Sequence, residues 1–321
     1  IQAFDGFLTA LADSGKQVFA ISGNHDCAER LAFGAQLMQG RGVYISPVYG
    51  EGAVKIPLSD EYGELFVCLL PFVKPISVRH AFEEELGERT INSYQDALEY
   101  AVERMDIDKE KRNLLIAHQF VTGAGRCESE EIVVGGLDNV DGKVFDAFDY
   151  VALGHIHSPQ SVGRENVRYC GTPLKYSFSE AEQEKSVTIV WMEEKGKTGF
   201  YTVPLRPLHD MQILRGMYLE VTAKACYQDM DTQDYVKIIL TDEEDIPDAV
   251  QKLRVIYPNL MRLEYDNRRT RQNQTVEAVK DIEQKSELEL FEEFYELQNN
   301  QPMRAEQKEY IACLLKEIQG E

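Results

Sequence analysis

Six residues of this chain could do chemistry together. Asn24, His25 and Asp26 stand in the stretch SGNHD, His118 closes LLIAH, and His155 and His157 share GHIH. Imidazoles with an asparagine carbonyl, and no cysteine among them, suit divalent ions of intermediate softness such as manganese, iron or zinc. Neutral ligands leave such ions strongly Lewis acidic. Two of them about 3.5–4 Å apart can bind a phosphate, activate a water and stabilise both the attacking and the leaving oxygen. A histidine beside the ions that is not itself a ligand can protonate the leaving oxygen or hold transition-state charge. In SGNHD, Asn24 can offer its amide oxygen while His25 points at a substrate. In GHIH, Gly154 lets the backbone turn, so that two imidazoles two residues apart face one centre. A lone strand-end histidine such as His118 is more often a packed rim residue than a ligand. The ordered combination of the three clusters is what points to a shared metal site.

The elements that must position these residues are readable from hydrophobic patterning. QVFAI (17–21), GVYIS (42–46), LFVCLLPFV (65–73), NLLIAHQF (113–120) and FDYVALGHIH (148–157) read as buried strands of a sheet covered on both faces. Four of the six histidines then fall at or just past the carboxyl ends of strands, where open α/β sheets bind ligands. The opening residues read as a helix, with Phe4, Phe7, Leu8 and Leu11 at helical spacing and Gly15 at its end. SYQDALEYAVERM (93–105) reads as a helix with Ser93 at its N-cap and Asp96 three residues on. VRYCGTP, SVTIVWME and GFYTVPL read as later strands. Prolines and a glycine in PLRPLHDMQILRG mark a boundary, followed by a β-α-β pattern: strand 234–240, helix 247–257 with Pro247 in its first turn, strand 260–265. A polar stretch separates this unit from two amphipathic helices, ELELFEEFYELQ and RAEQKEYIACLLKEI. Their apolar faces carry Phe291, Phe294 and Tyr295, and Ile311, Leu314, Leu315 and Ile318.

Composition sets limits. The 321 residues, 43% hydrophobic, allow one large core and a smaller second domain. The opening residues do not read as a signal peptide and no apolar run reaches membrane-span length, so the expectation is a soluble cytoplasmic protein. Six scattered cysteines without a C-x-x-C pair argue for reduced thiols and against a zinc ribbon. A net charge of −21 excludes a generally basic nucleic-acid surface, so any DNA contact must come from local cations, metal ions or a partner.

The order GNHD, strand-end histidine, GHxH resembles the calcineurin-like metallophosphoesterases. The longer stretches SGNHDCAERLAFG, LLIAHQFVTGAG, VGGLDNVDGKVFDAFDYVALGHIHSPQ and YCGTPLKYSFSEAEQEKSV narrow the resemblance to the SbcD family, over most of residues 17–190. The resemblance implies an α/β fold: a metallophosphoesterase-type β-sandwich flanked by helices, its first strands missing, with a small β-α-β capping domain and a C-terminal helix pair. It implies a nuclease domain at 1–205, a capping domain at 206–266, a linker at 267–285 and a partner-binding segment at 286–321. It makes Asn24, His118 and His155 ligands of one manganese and His157 a ligand of a second, with His25 catalytic and Asp26 orienting it. Lys175, Tyr176 and Ser177 would lie near substrate, with an ordinary surface turn as the competing reading. Leu290, Phe291, Phe294, Ile311, Leu314 and Leu315 would dock an SbcC-type ATPase. The implied activity is phosphodiester hydrolysis at DNA ends and hairpins, by a homodimer working with that ATPase.

The resemblance also shows a gap. The D-x-H and G-D-x-x-D motifs of that family do not occur in these residues, and GNHD is the first motif present. The expectation is an N-terminally truncated copy that binds at most one metal weakly. Two alternatives stay open: a small-molecule phosphodiesterase or phosphatase of the same superfamily, and a scaffold that binds the ATPase without catalysis.

Overall fold

The computed structural model describes residues 2–46, 49, 52–130, 139–268, 270, 287–299 and 302–319. The chain divides into two compact units, Ile1–Leu208 and His209–Glu321.

In the first unit, a helix α1 (Gln2–Asp13) leads to β1 (Val18–Ala20), which pairs in parallel with β2 (Val43–Ile45). The main sheet has six strands. In spatial order these are β3 (Val54–Asp60), β4 (Gly63–Leu70), β5 (Arg112–His118), β8 (Tyr150–Gly154), β10 (Arg164–Tyr169) and β9 (Gln160–Val162). β4, β5, β8 and β10 run parallel, while β3 and β9 are antiparallel edges. The parallel centre directs four strand ends to one edge. Short strands β6 (Phe120–Val121) and β7 (Asn139–Val140) pair beside it, and β11 (Ser186–Met192) forms an antiparallel hairpin with β12 (Thr198–Pro204).

Alternation along β5 shows how the sheet is covered. Leu115 and Ala117 are fully buried in the main cluster with Leu98, Ala101, Phe145 and Phe148. Leu114 and Ile116 face the other way, towards Ile56, Val67 and Leu69 and the ring of Phe19 from β1. Fully burying one such leucine stabilises by roughly 1.5–3 kcal/mol. The helix Tyr94–Glu103 supplies the first face, with Ala97, Leu98, Tyr100 and Ala101 buried. Its start is set by the reciprocal cap read from the sequence: Asp96 N–H donates to Ser93 Oγ at 3.1 Å, and Ser93 N–H donates to Asp96 Oδ2 at 2.9 Å.

One strand is shorter than its apolar run suggested. β4 stops at Leu70, because Pro71 supplies no N–H to continue the ladder. Phe72 is thereby released from the sheet and becomes part of the site.

The second unit holds a parallel three-stranded sheet, β13 (Met211–Gly216), β14 (Tyr235–Leu240) and β15 (Leu260–Tyr265). β13 falls inside the segment that the sequence marked only as a boundary. Two short helices join β13 to β14, and the helix Ala249–Arg254 joins β14 to β15. That helix begins later and ends earlier than 247–257. Asp248 precedes it in a left-handed conformation (φ 55°), so Pro247 lies outside the first turn. Tyr257, past its end, is fully buried and donates its hydroxyl to Val221 O at 2.6 Å.

The helices Glu287–Asn299 and Ala305–Gln319 pack on each other. Lys308 pairs with Glu292 at 2.6 Å and Gln307 donates to the Tyr295 hydroxyl at 3.1 Å. Leu290, Ile311, Leu314 and Leu315 are half-buried, and Phe291 and Phe294 are exposed. Phe291, Tyr295, Met303, Tyr310 and Ile311 line a hollow of about 360 Å³. Most of the polar stretch at 267–285, and the side chain of Ile318, lie outside the described residues.

Candidate metal centre

The carboxyl edge of the parallel strands gathers the six residues. β1 runs into SGNHD, which is folded back on itself because Gly23 N–H donates to Asp26 Oδ2 at 2.7 Å. The Phe72 N–H donates to Ser22 O at 3.1 Å and ties this turn to the end of β4. Asn24 thereby meets His118, the last residue of β5, with Oδ1 and Nε2 2.9 Å apart. The His155 ring lies 5.2 Å from that of His118, edge to face. His25 and Asp26 are both exposed.

Two glycines make room for the His118 ring. A Cβ on Gly23 would stand 2.7 Å from its Cε1, and one on Gly154 would stand 2.8 Å from its Nδ1. Gly154 therefore serves a different purpose from the one read in the sequence. The positive φ after β8 belongs to His155 itself, at 100°, and not to the glycine. Such a backbone costs a non-glycine residue about 1–3 kcal/mol and persists only where the surroundings enforce it. Phe72 is one enforcer: its ring stacks on His155 at 6.3 Å and meets His118 edge-on at 5.9 Å. Phe120 closes in at 6.2 Å from His155. Burial, reinforced by the neighbouring His155, pushes the His118 pKa down to about 4. The imidazole is then neutral at any physiological pH, the state a metal ligand needs.

His157 is held differently. Its Nδ1 lies 2.7 Å from Ser129 Oγ, which donates to Glu180 Oε1 at 2.6 Å. Its N–H donates to Glu130 Oε1 at 2.6 Å, and its carbonyl accepts from Lys185 Nζ at 2.8 Å. Lys185 and Glu180 form a buried ion pair at 2.6 Å, with side chains 3% and 0% exposed. Burial pushes the Glu180 carboxyl up, but hydrogen bonds from Lys185 and Ser129 outweigh it and hold it below the usual carboxylate range. At Gly171 (φ 80°) a Cβ would stand 2.6 Å from His157 O, so this loop also needs a glycine.

In the 175–177 loop, Tyr176 reaches a histidine. Its ring lies 5.8 Å from His157. Lys175 Nζ donates to Ala181 O at 2.6 Å, and Ser177 Oγ lies 2.5 Å from Ser179 Oγ.

Comparison with known proteins decides the family. Residues 207–299 match the SbcD C-terminal family model, described as the type 5 capsule protein repressor C-terminal domain. Over 304 residues the chain is 31% identical to the SbcD subunit of the SbcCD nuclease of Staphylococcus epidermidis, covering 93% of this chain and 77% of that protein. The chain belongs to the SbcD family.

In this SbcD-family chain, the Asn24 amide oxygen meets the His118 imidazole, and the His155 ring lies beside that imidazole. Such a set fits a divalent ion of intermediate softness. Among the described residues, no group of three or more His, Cys, Asp or Glu side chains is arranged to hold a metal, and His118, His155 and His157 are included in that. Sequence reasoning did not find Phe72, Ser129, Glu130, Glu180 or Lys185. Phe72 was hidden in an apolar run. Glu180 and Lys185 sit in the charge-rich run SEAEQEK. Among the described residues no helix is long and apolar enough to cross a membrane.

Proposed function

We propose that this chain is the nuclease subunit of a metal-dependent DNA-processing complex, hydrolysing phosphodiester bonds at ends and hairpins. The approach of Asn24 Oδ1 to His118 Nε2, with His155 beside them, carries this reading. Manganese, when bound, supplies Lewis acidity for a two-metal hydrolysis. Asn24, His118 and His155 would hold one ion, and His157 would present its ring to a second. His25, exposed and next in sequence to Asn24, gives a proton to the leaving oxygen, while Asp26 keeps the turn closed. Within these 321 residues the converging donors suffice for one ion. The nuclease domain is assigned the two-layer sandwich of metallophosphoesterases. The name of its relative from S. epidermidis supports work within a complex, and the half-apolar helix pair supports docking to an SbcC-type ATPase through Phe291, Phe294, Ile311 and Leu314.

Calorimetric titration with manganese should find one weak site on this chain; two tight sites would overturn the one-ion assignment. Hairpin DNA should be cleaved, and His25→Ala should abolish that cleavage. Cyclic-nucleotide hydrolysis exceeding DNA cleavage would favour a small-molecule phosphodiesterase. Removing residues 286–321 should abolish co-purification with the ATPase.

A further inference from the structure

The hydrogen bonds behind His157 fix which of its nitrogens is free. Glu180 is fully buried, and its Oε2 accepts from the Lys185 ammonium at 2.6 Å, which keeps it a carboxylate and so an acceptor only. Ser129 has one hydroxyl proton. At 2.6 Å from Glu180 Oε1, that proton must lie on the line to the carboxylate, since two lone pairs would otherwise face each other at that distance. The Ser129 oxygen is then an acceptor towards His157, and Nδ1 at 2.7 Å must carry the hydrogen between them. A neutral imidazole with Nδ1–H has its lone pair on Nε2.

We propose that Ser129 and Glu180 are positioning residues that lock His157 in the Nδ1–H tautomer and so present Nε2 as a lone-pair donor at the strand edge. The backbone of His157 is fixed by the same network. Glu130 Oε1 accepts its N–H, while Lys185 and the Thr172 N–H, at 3.1 Å, both donate to its carbonyl. Ring orientation, tautomer and backbone are thus set from one side, and among the described residues no hydrogen bond occupies Nε2. Outer-shell partners of this kind typically change metal affinity by about 10–100-fold when removed. His157 and His118 are thus held by different means. His118 is kept neutral by burial, and His157 is directed by a serine and a carboxylate placed 28 residues before and 23 residues after it in sequence.

The value of this arrangement for metal binding rests on the proposed function; the tautomer itself does not. Histidine-selective 15N labelling of the full chain without metal reads the tautomer directly, and His157→Gln assigns the resonance. At a pH above the ordinary histidine range, His157 should show a protonated-type Nδ1 and an unprotonated-type Nε2. Ser129→Ala should lose that pattern, and Ser129→Thr, which keeps the hydroxyl, should restore it. An Nε2–H tautomer in the parent chain, or an unchanged pattern in Ser129→Ala, overturns the proposal. Glu180→Gln is the second probe, and circular dichroism confirms which variants fold. Manganese added to the parent should broaden the His157 signal. A sharp signal with the tautomer intact would remove His157 from the ligand set while leaving the positioning network standing.

Discussion

The two halves of the histidine cluster are built by opposite means. Around His118 the devices are steric: two glycines clear the ring, and Phe72 walls it in. Around His157 they are polar: Ser129, Glu130, Glu180 and Lys185 meet its ring nitrogen, N–H, carbonyl and one another. A packed site tolerates change in charge but not in volume, because a Cβ added at either glycine would stand 2.7 or 2.8 Å from the ring. A hydrogen-bonded site tolerates neither a missing acceptor nor an unpaired charge, because each buried group depends on the next.

The largest expected loss tests the polar half. Glu180→Ala leaves the Lys185 ammonium buried without its carboxylate and should cost about 3–5 kcal/mol in urea unfolding. A cost below about 1 kcal/mol would mean that water reaches the pair and that the contrast is false.

The steric half comes next. Gly154→Ala places a methyl 2.8 Å from His118 Nδ1 and should cost about 1–3 kcal/mol. It should also weaken manganese binding in calorimetry. Unchanged affinity with lowered stability would separate the packing role of this glycine from the metal site.

A smaller effect serves as a reference away from both halves. Ser93→Ala removes the helix cap and should cost about 1 kcal/mol in the same unfolding assay. Its partner Asp96 has a pH signature. The N–H groups of Asn92 and Ser93 hold its carboxyl below the usual range. A lowered folded-state pKa stabilises above the unfolded value and loses that contribution as pH falls through the folded value. The stability gap between the parent and Asp96→Asn should therefore close in acid. A gap that widens would contradict the cap geometry.

The smallest stability effect belongs to His25→Ala. His25 is exposed, so unfolding should change by no more than about 0.5 kcal/mol. DNA cleavage should fall by about 10²–10⁴-fold. A variant that loses stability instead would place His25 in the fold and not in the chemistry.

Much of this was legible beforehand. The apolar runs located β1, β2, β4, β5 and β8, because a strand buried on both faces must be apolar at every position. The Ser93–Asp96 pair located a helix start, because capping is a local rule. The histidines were found because strand ends gather at one edge in a parallel sheet, whatever the loops between them do. The misses arose where local signals stop. β13 carries too few apolar residues to stand out beside prolines, and its pairing with β14 supplies what its sequence lacks. Pro247 reads as a helix start, yet Asp248 takes a left-handed conformation that moves the start past it.

By itself, then, the sequence determined the candidate residues, their order along the chain and the strand edge that collects them. Only the tertiary structure decided how each side chain is held. The His118 ring needs a glycine from each of two separate strand ends, and the His157 ring needs a serine and a glutamate that lie on either side of it in sequence. Close approach and burial are properties of neighbours in space. A charge such as Glu180 looks solvated until the chain folds around it.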